Sequence, residues 1–395
     1  MTFDAKTYLL TDKGTFGRNA LIVAVVGLAL SAVGYVVDSE QFFFAYLTAF
    51  TFWMTLSLGS LFFVMLHHLV GATWSVVIRR LAESLMATIP YMAILFIPVL
   101  LGVHHLYHWS HPEVVAADPL LMKKSAFLNI PFFVIRAIIY FFVWSALAHL
   151  LYKNSIKQDT APSTELTQKL KTISAPGMIL FALTSTLAGF DWLMSLEPHW
   201  YSTIFGVYFF AGGLVGAISL MTVMAAFVQS RGVLRGTITV EHYHDLGKLM
   251  FAFIIFWTYI GFSQYFLIWY GNIPEETIWY LQRWEGGWKT ISMIILFGHF
   301  AIPFTLLNFR SAKRTLTPLV IMGVWIIVMH WFDHYWMVLP THLPKGASIS
   351  WIEIVATFGI GGVFFWAFWT RFSSTAMVPV GDPKLRASIN HVNTF

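Results

Sequence analysis

Residues 203–228 read TIFGVYFFAGGLVGAISLMTVMAAFV, twenty-six positions without one charged side chain. An α-helix rises 1.5 Å per residue, so about 20 such positions cross the hydrocarbon core of a bilayer. A strand of this composition would leave its backbone groups unpaired in lipid, so the run reads as a membrane-crossing helix. Nine further runs read the same way: about 19–37, 42–66, 85–103, 130–151, 176–194, 249–270, 290–309, 318–339 and 352–370. The implied fold class is all-α, a polytopic membrane protein of about ten transmembrane helices, with residues 1–395 forming a single integral membrane domain. Spans two to five and six to nine each start on the outer side, which suggests two four-helix bundles plus two peripheral helices. Only the links at about 104–129, 152–175, 229–248 and 271–289 exceed a tight turn. The polar stretch from Lys153 to Lys171, with Pro162, reads as a linker between spans four and five.

Composition excludes most other classes. The 395-residue chain is 57% hydrophobic and 11% charged, against about 25% charged in a soluble protein. Its 17 Trp and 37 Phe suit an apolar solvent, and it has no cysteine. The missing cysteines exclude disulfides, thiolate zinc sites, iron–sulfur ligation by cysteine, haem attached through Cys-x-x-Cys-His and cysteine nucleophiles. A net charge of +5 in so apolar a chain fits cations gathered in loops on one side of a membrane better than nucleic-acid binding.

The distribution of those cations sets the expected orientation. Eighteen of the 24 Lys and Arg fall on the side of the amino terminus, among them Lys6, Arg79, Arg80, Lys153 and Lys171. The opposite side holds five, namely Lys123, Lys124, Arg283, Lys289 and Lys345, and Arg136 lies within a span. The positive-inside rule then places both termini in the cytoplasm, in keeping with an even number of spans. The first apolar run, about 17 residues, exceeds the 7–15 of a signal-peptide core and reads as an uncleaved anchor.

An ionised side chain at mid-membrane costs about 2.5–3.5 kcal/mol on insertion scales, so such residues are functional candidates. Span nine carries His330, Asp333 and His334, at i, i+3 and i+4 on one helix face. The spacing resembles half of a zinc site, yet the intervening glutamate of zinc hydrolases is absent. Imidazole and carboxylate exchange protons near neutral pH, so a proton relay is expected, continued by His299 in span eight. The competing reading is that these groups only hold helices together. Arg136 in span four and Asp191 in span five are placed to pair, either as a structural clamp or as a polar pocket for a quinone head group or a proton. On the inner side, His67 and His68 end span two, Glu83 opens span three and His149 closes span four. Outer and inner groups together resemble two proton half-paths separated by an apolar middle.

Weaker features remain. Pro90 and Pro98 should kink span three and free carbonyls. Gly212, Gly213 and Gly216, with Gly359, Gly361 and Gly362, permit close helix packing. His104, His105, His108 and His111 form a histidine-rich outer loop, read as a wet surface facing a partner more than a metal site. Trp279, Trp284 and Trp288, with Glu275, Glu276 and Glu285, read as an outer interfacial segment or docking surface.

The run from Phe190 to Thr203, FDWLMSLEPHWYST, is distinctive, as are Asp245-Leu246-Gly247-Lys248, Phe256-Trp257-Thr258-Tyr259 and Phe262-Ser263-Gln264-Tyr265. With ten spans over nearly the whole chain, these motifs resemble the ActF-type membrane subunits of bacterial alternative complex III, a quinol:electron carrier oxidoreductase, within the NrfD/PsrC-like membrane group. The resemblance implies a homologous ten-helix ActC-like subunit, an iron–sulfur protein, multihaem cytochrome c subunits and small membrane anchors as partners. It also implies iron–sulfur clusters and haems c in those partners, no cofactor held covalently by this chain, and a role in proton conduction coupled to quinol oxidation. A quinone pocket in this chain stays open at this stage. Two other readings stay open as well. One is a secondary transporter, although span three has no Pro-rich twin. The other is a b-haem anchor using histidines such as His68 and His149.

Overall fold

The computed structural model describes residues 5–10 and 12–393, with the backbone alone at Ala5 and Lys6, so the Lys6 side chain lies outside the described residues. Among the described residues, ten helices are long and apolar enough to cross a membrane: α1 (Phe16–Val37), α2 (Ser39–Leu69), α3 (Val76–Leu101), α4 (Ile130–Thr160), α5 (Thr164–Leu196), α6 (Phe205–Ser230), α7 (Val240–Gly271), α8 (Gly286–Asn308), α9 (Leu316–Thr341) and α10 (Trp351–Phe372). No strand forms among the described residues, where pairing is limited to one isolated bridge between Arg235 and Ile238. The chain is an all-α polytopic membrane protein, and ten crossings bring both termini to one side, here called the terminal face.

Helices α2–α5 pack as one bundle and α6–α9 as a second, while α1 lies along α10. The seam between the bundles is α2 against α6. Its closeness has a plain cause: a Cβ on Gly59 would lie 2.4 Å from the Gly213 carbonyl oxygen, and one on Gly213 would meet Thr55 at 2.9 Å. Small residues let backbones approach where no hydrophobic effect drives helices together in lipid. Being central, α2 is buried along almost its full length from Gln41 to His68.

Span three is broken as its prolines require. It runs as Val76–Met86, Ile89–Leu95 and Ile97–Leu101. Proline has no N–H to continue the ladder. The Tyr46 hydroxyl donates to the Leu95 carbonyl at 2.8 Å, and Thr88 shares a 2.7 Å hydrogen bond with Ser57. Span eight departs from regularity differently, opening into a π-helix over Ile295–Ala301, where the Trp325 indole donates to the Gly298 carbonyl at 2.7 Å.

Several sequence expectations need correction. The stretch from Lys153 to Lys171 is mostly helix, because α4 continues to Thr160 and α5 starts at Thr164, leaving 161–163 as the link. Ser163 caps α5 by accepting from the Glu165 N–H at 3.1 Å, and Pro162 sits in the gap. A helix keeps its backbone bonds in water as in lipid, so polarity alone does not end it. His149 therefore lies inside α4 rather than closing it. Glu83 lies well inside α3, which begins at Val76, not near residue 85. Arg79, Arg80 and Arg283, counted as loop cations, are buried at 3%, 0% and 1% exposure. Trp279 and Trp288 are buried too, and of the three only Trp284 faces outward.

A carboxy-terminal strap, residues 373–393, crosses the terminal face. Met377 donates its N–H to Tyr8, Lys384 reaches the Gly71 carbonyl at 2.5 Å, and the Ser388 hydroxyl donates to the Trp74 carbonyl at 2.8 Å. His391 meets Asp245 at 2.7 Å, so the strap touches both bundles. Gly381 is where the strap presses on α4: a Cβ there would stand 1.7 Å from the Gln158 carbonyl oxygen. Gly381→Ala should weaken strap attachment by about 1–3 kcal/mol, the usual cost of overpacking. Limited trypsin digestion of the solubilised protein should then cleave faster at Arg386, which is exposed beside the buried Leu385. An unchanged cleavage rate would show that this contact does not hold the strap.

Candidate functional site

The three ionisable residues of α9 do share one face, and that face is turned inward. His330, Asp333 and His334 are exposed by only 1%, 1% and 0%. The two histidines meet the hydroxyls of α2, residues that composition alone did not mark: His330 Nε2 lies 3.0 Å and His334 Nε2 3.3 Å from Thr55 Oγ1, and His334 Nδ1 lies 3.0 Å from Thr51 Oγ1. A periodicity signal existed, since Thr48, Thr51 and Thr55 fall on one stripe of a very apolar helix.

The hydrogen-bond inventory here is informative. Thr51 donates to the Leu47 carbonyl at 2.8 Å and Thr55 to the Phe52 carbonyl at 2.8 Å. With both hydroxyl protons so directed, His334 satisfies both threonines only if both of its nitrogens carry protons. A neutral imidazole has one N–H and one lone pair, so one threonine must then turn its hydroxyl towards the ring. Hydroxyl rotation and imidazole protonation are thus coupled, which is what a relay station requires.

Asp333 faces the second bundle and accepts a hydrogen bond from the Tyr208 hydroxyl of α6. Tyr208 also lines a cavity of about 890 Å³ bounded chiefly by apolar side chains of α7, α8 and the short helix Pro274–Gln282. Its polar groups include Gln264, Tyr280 and Arg283. Gln264 accepts from Ser202 at 3.0 Å and donates to the Tyr280 hydroxyl at 2.9 Å. Arg283 donates to the carbonyls of Trp336 (3.1 Å), Trp279 (2.9 Å) and Met337 (3.1 Å) and stacks 3.5 Å over Trp279. Burial pulls Arg283 down to about 9, with Glu197 acting against it, so it stays a cation at neutral pH. Pockets of roughly 300–1,000 Å³, apolar with a few placed polar groups, are typical small-molecule sites.

His299 sits in the π-helix, the kind of helical irregularity frequent at functional sites. Its ring stacks on Trp257 with centroids 4.0 Å apart, and lies 6.4 Å from His330. Both His299 nitrogens and His330 Nδ1 are buried without a hydrogen-bond partner among the described residues. Gly212 and Gly216 of α6 make room for His330, since a Cβ on either would stand 3.2 Å or 3.0 Å from its ring.

Arg136 and Asp191 form the anticipated pair, but not a pocket. The guanidinium grips the carboxylate at two points, 2.8 Å each, and donates to the Phe127 carbonyl at 2.9 Å. Tyr140 donates to the same carboxylate at 2.7 Å, while Phe127 and Phe132 lie 3.9 Å and 4.3 Å from the guanidinium carbon. The neighbouring interior is filled by Phe96, Phe141, Trp144 and Trp192 in mutual contact. The pair belongs to the first bundle, and no hydrogen bond among the described residues joins it to Asp333 or His334. The expected outer half-path is thus two separate places.

Towards the terminal face, His67 Nδ1 lies 2.7 Å from the Phe63 carbonyl, and His68 Nε2 is buried without a hydrogen-bond partner among the described residues. Glu83 accepts from Ser155 at 2.9 Å and stands 3.4 Å from both Arg79 and Arg80. No hydrogen bond joins either histidine to Glu83. Thr55 and His67 are twelve residues apart on α2, about 18 Å along the axis, and the interval is dominated by buried Leu56, Leu58, Leu61, Phe63 and Val64. His149 is exposed while His68 is buried, so this pair lacks the shared enclosed space that two axial haem ligands need. The histidine-rich loop is partly structural: His105 stacks on Phe43, and His111 Nε2 lies 2.8 Å from the His104 carbonyl. Compared with known proteins, the chain matches no family model and no curated relative.

Proposed function

We propose that this protein is the proton-conducting membrane subunit of a quinol-oxidising electron-transfer complex, as its resemblance to the ActF-type subunits suggests, with the cavity beside Tyr208 as a quinone pocket. The observation that carries the reading is the Tyr208–Asp333 hydrogen bond, which ties the cavity wall to α9, the helix whose same face carries His330 and His334 beside Thr55. Because the tyrosine gives its proton to Asp333, its oxygen is free to accept one from a hydroxyl in the cavity. A proton arriving there displaces the phenolic proton onto the carboxylate, which shares its helix face with His330 and His334.

On this reading the chain supplies acid–base groups and no electron carrier. Redox centres belong to the partners that the resemblance implies: an iron–sulfur protein and multihaem cytochrome c subunits, beside an ActC-like ten-helix subunit and small anchors. The lysine and arginine bias supports a terminal face in the bacterial cytoplasm. The experiment is quinol oxidation by the reconstituted complex carrying Tyr208→Phe, which preserves the ring and removes the hydroxyl. Positioned proton transfer is worth about 10²–10⁴-fold, so turnover should fall at least tenfold with assembly intact. Unchanged turnover would remove Tyr208 from the path.

A further inference from the structure

Beneath the carboxy-terminal strap lies an ionic cluster that the proton path does not yet use. Arg79, Arg80 and Glu83 project from α3 and are exposed by 3%, 0% and 0%. Arg80 pairs with Asp159 of α4 at 2.7 Å, and Arg79 with Asp382 of the strap. Glu83 stands between the two arginines, 3.4 Å from each, and accepts from Ser155. The Asp159 carboxylate also accepts from the Gly381 N–H at 3.4 Å, tying strap and cluster together.

The charges do not cancel. Arginine does not give up its proton inside proteins. Two guanidinium groups therefore face three carboxyl groups, and full ionisation leaves one negative charge uncompensated. An uncompensated charge in a low-dielectric interior is expensive, and the group neutralises instead. The other ionisable groups packed around the cluster do not supply the balance. His67 bonds a backbone carbonyl, and His68 Nε2 has no hydrogen-bond partner among the described residues. Tyr152 donates to the Arg371 carbonyl, the Arg371 side chain is exposed, and Lys384 directs its ammonium to Gly71. Glu83 Oε1, Arg79 Nε, Arg80 Nε and Arg80 Nη1 are all buried without a hydrogen-bond partner among the described residues.

We infer that the cluster of Arg79, Arg80, Glu83, Asp159 and Asp382 holds one exchangeable proton on a carboxyl group, and that the strap residue Asp382 creates the need for it. Three coupled acids share that proton as a set rather than as independent sites. Without Asp382 the remaining two arginines and two carboxylates are neutral. As a station on the proposed path the site rests on that reading; as a proton-binding site it does not.

The test is the infrared spectrum of the full-length chain in lipid nanodiscs at pH 7, recorded in H₂O and D₂O. The wild type should show a deuterium-sensitive protonated-carboxyl band that is lost, by one group, in Asp382→Asn and equally in Glu83→Gln, and retained in Asp382→Glu. Placing the two neutralising variants on different elements keeps the result independent of a folding defect in either. A band of wild-type intensity in both Asp382→Asn and Glu83→Gln overturns the inference, whatever Tyr208→Phe does to quinol oxidation.

Discussion

Arg136→Gln should cost about 3–5 kcal/mol of stability, the typical penalty for removing one partner of a buried ion pair. The size follows from the number of bonds lost. Asp191 is exposed by 1% and receives two guanidinium contacts of 2.8 Å, and after the substitution only Tyr140 still serves it as a strong donor. Asp191→Asn should cost less, because the guanidinium keeps its bond to Phe127 and its stacking on Phe127 and Phe132. Removing both charges together, as in Arg136→Met with Asp191→Leu, should recover most of the loss, since apolar residues of similar volume often replace a buried pair at little cost. Thermal unfolding in detergent measures all three. Single variants as stable as the wild type would mean that this pair is no clamp between α4 and α5.

Asp333→Asn should lower quinol oxidation by the proposed complex about 100-fold, within the range for losing a positioned acid–base group. Asparagine fits the same space and still accepts the Tyr208 hydrogen bond, so assembly and the cavity are expected to survive. What it cannot do is take the proton. Asp333→Glu keeps that capacity and should retain part of the activity. A structural role for Asp333 predicts the opposite ranking, with the isosteric asparagine harmless and the longer glutamate disruptive in a site packed to 1% exposure.

Fold and site differ in how far they were legible in sequence. Uninterrupted apolar runs declare a membrane helix by length alone, so all ten spans could be placed without tertiary information. Their ends could not, because the lysines of 153–171 are compatible with both helix and loop, and the cap at Ser163 decides. The α9 face was legible because i, i+3 and i+4 spacing fixes which side chains project together. Tyr208 was not, and the stripe of Thr48, Thr51 and Thr55, although periodic, acquires meaning only opposite His330 and His334, since hydroxyls are ordinary in membrane helices. Arg79 and Arg80 misled for a different reason. An arginine near a predicted span end reads as a solvated cation, and its carboxylate partners, Asp159 and Asp382, stand 79 and 303 residues away.

On the proposed function, buried acid–base side chains move protons for partner subunits that hold the electron carriers. Proton release per electron by the reconstituted complex, wild type against Asp333→Asn, tests this most directly. The expected result is a variant that loses both the proton yield and most of the turnover, with subunit composition unchanged. An Asp333→Asn complex with the wild-type ratio and rate would contradict it.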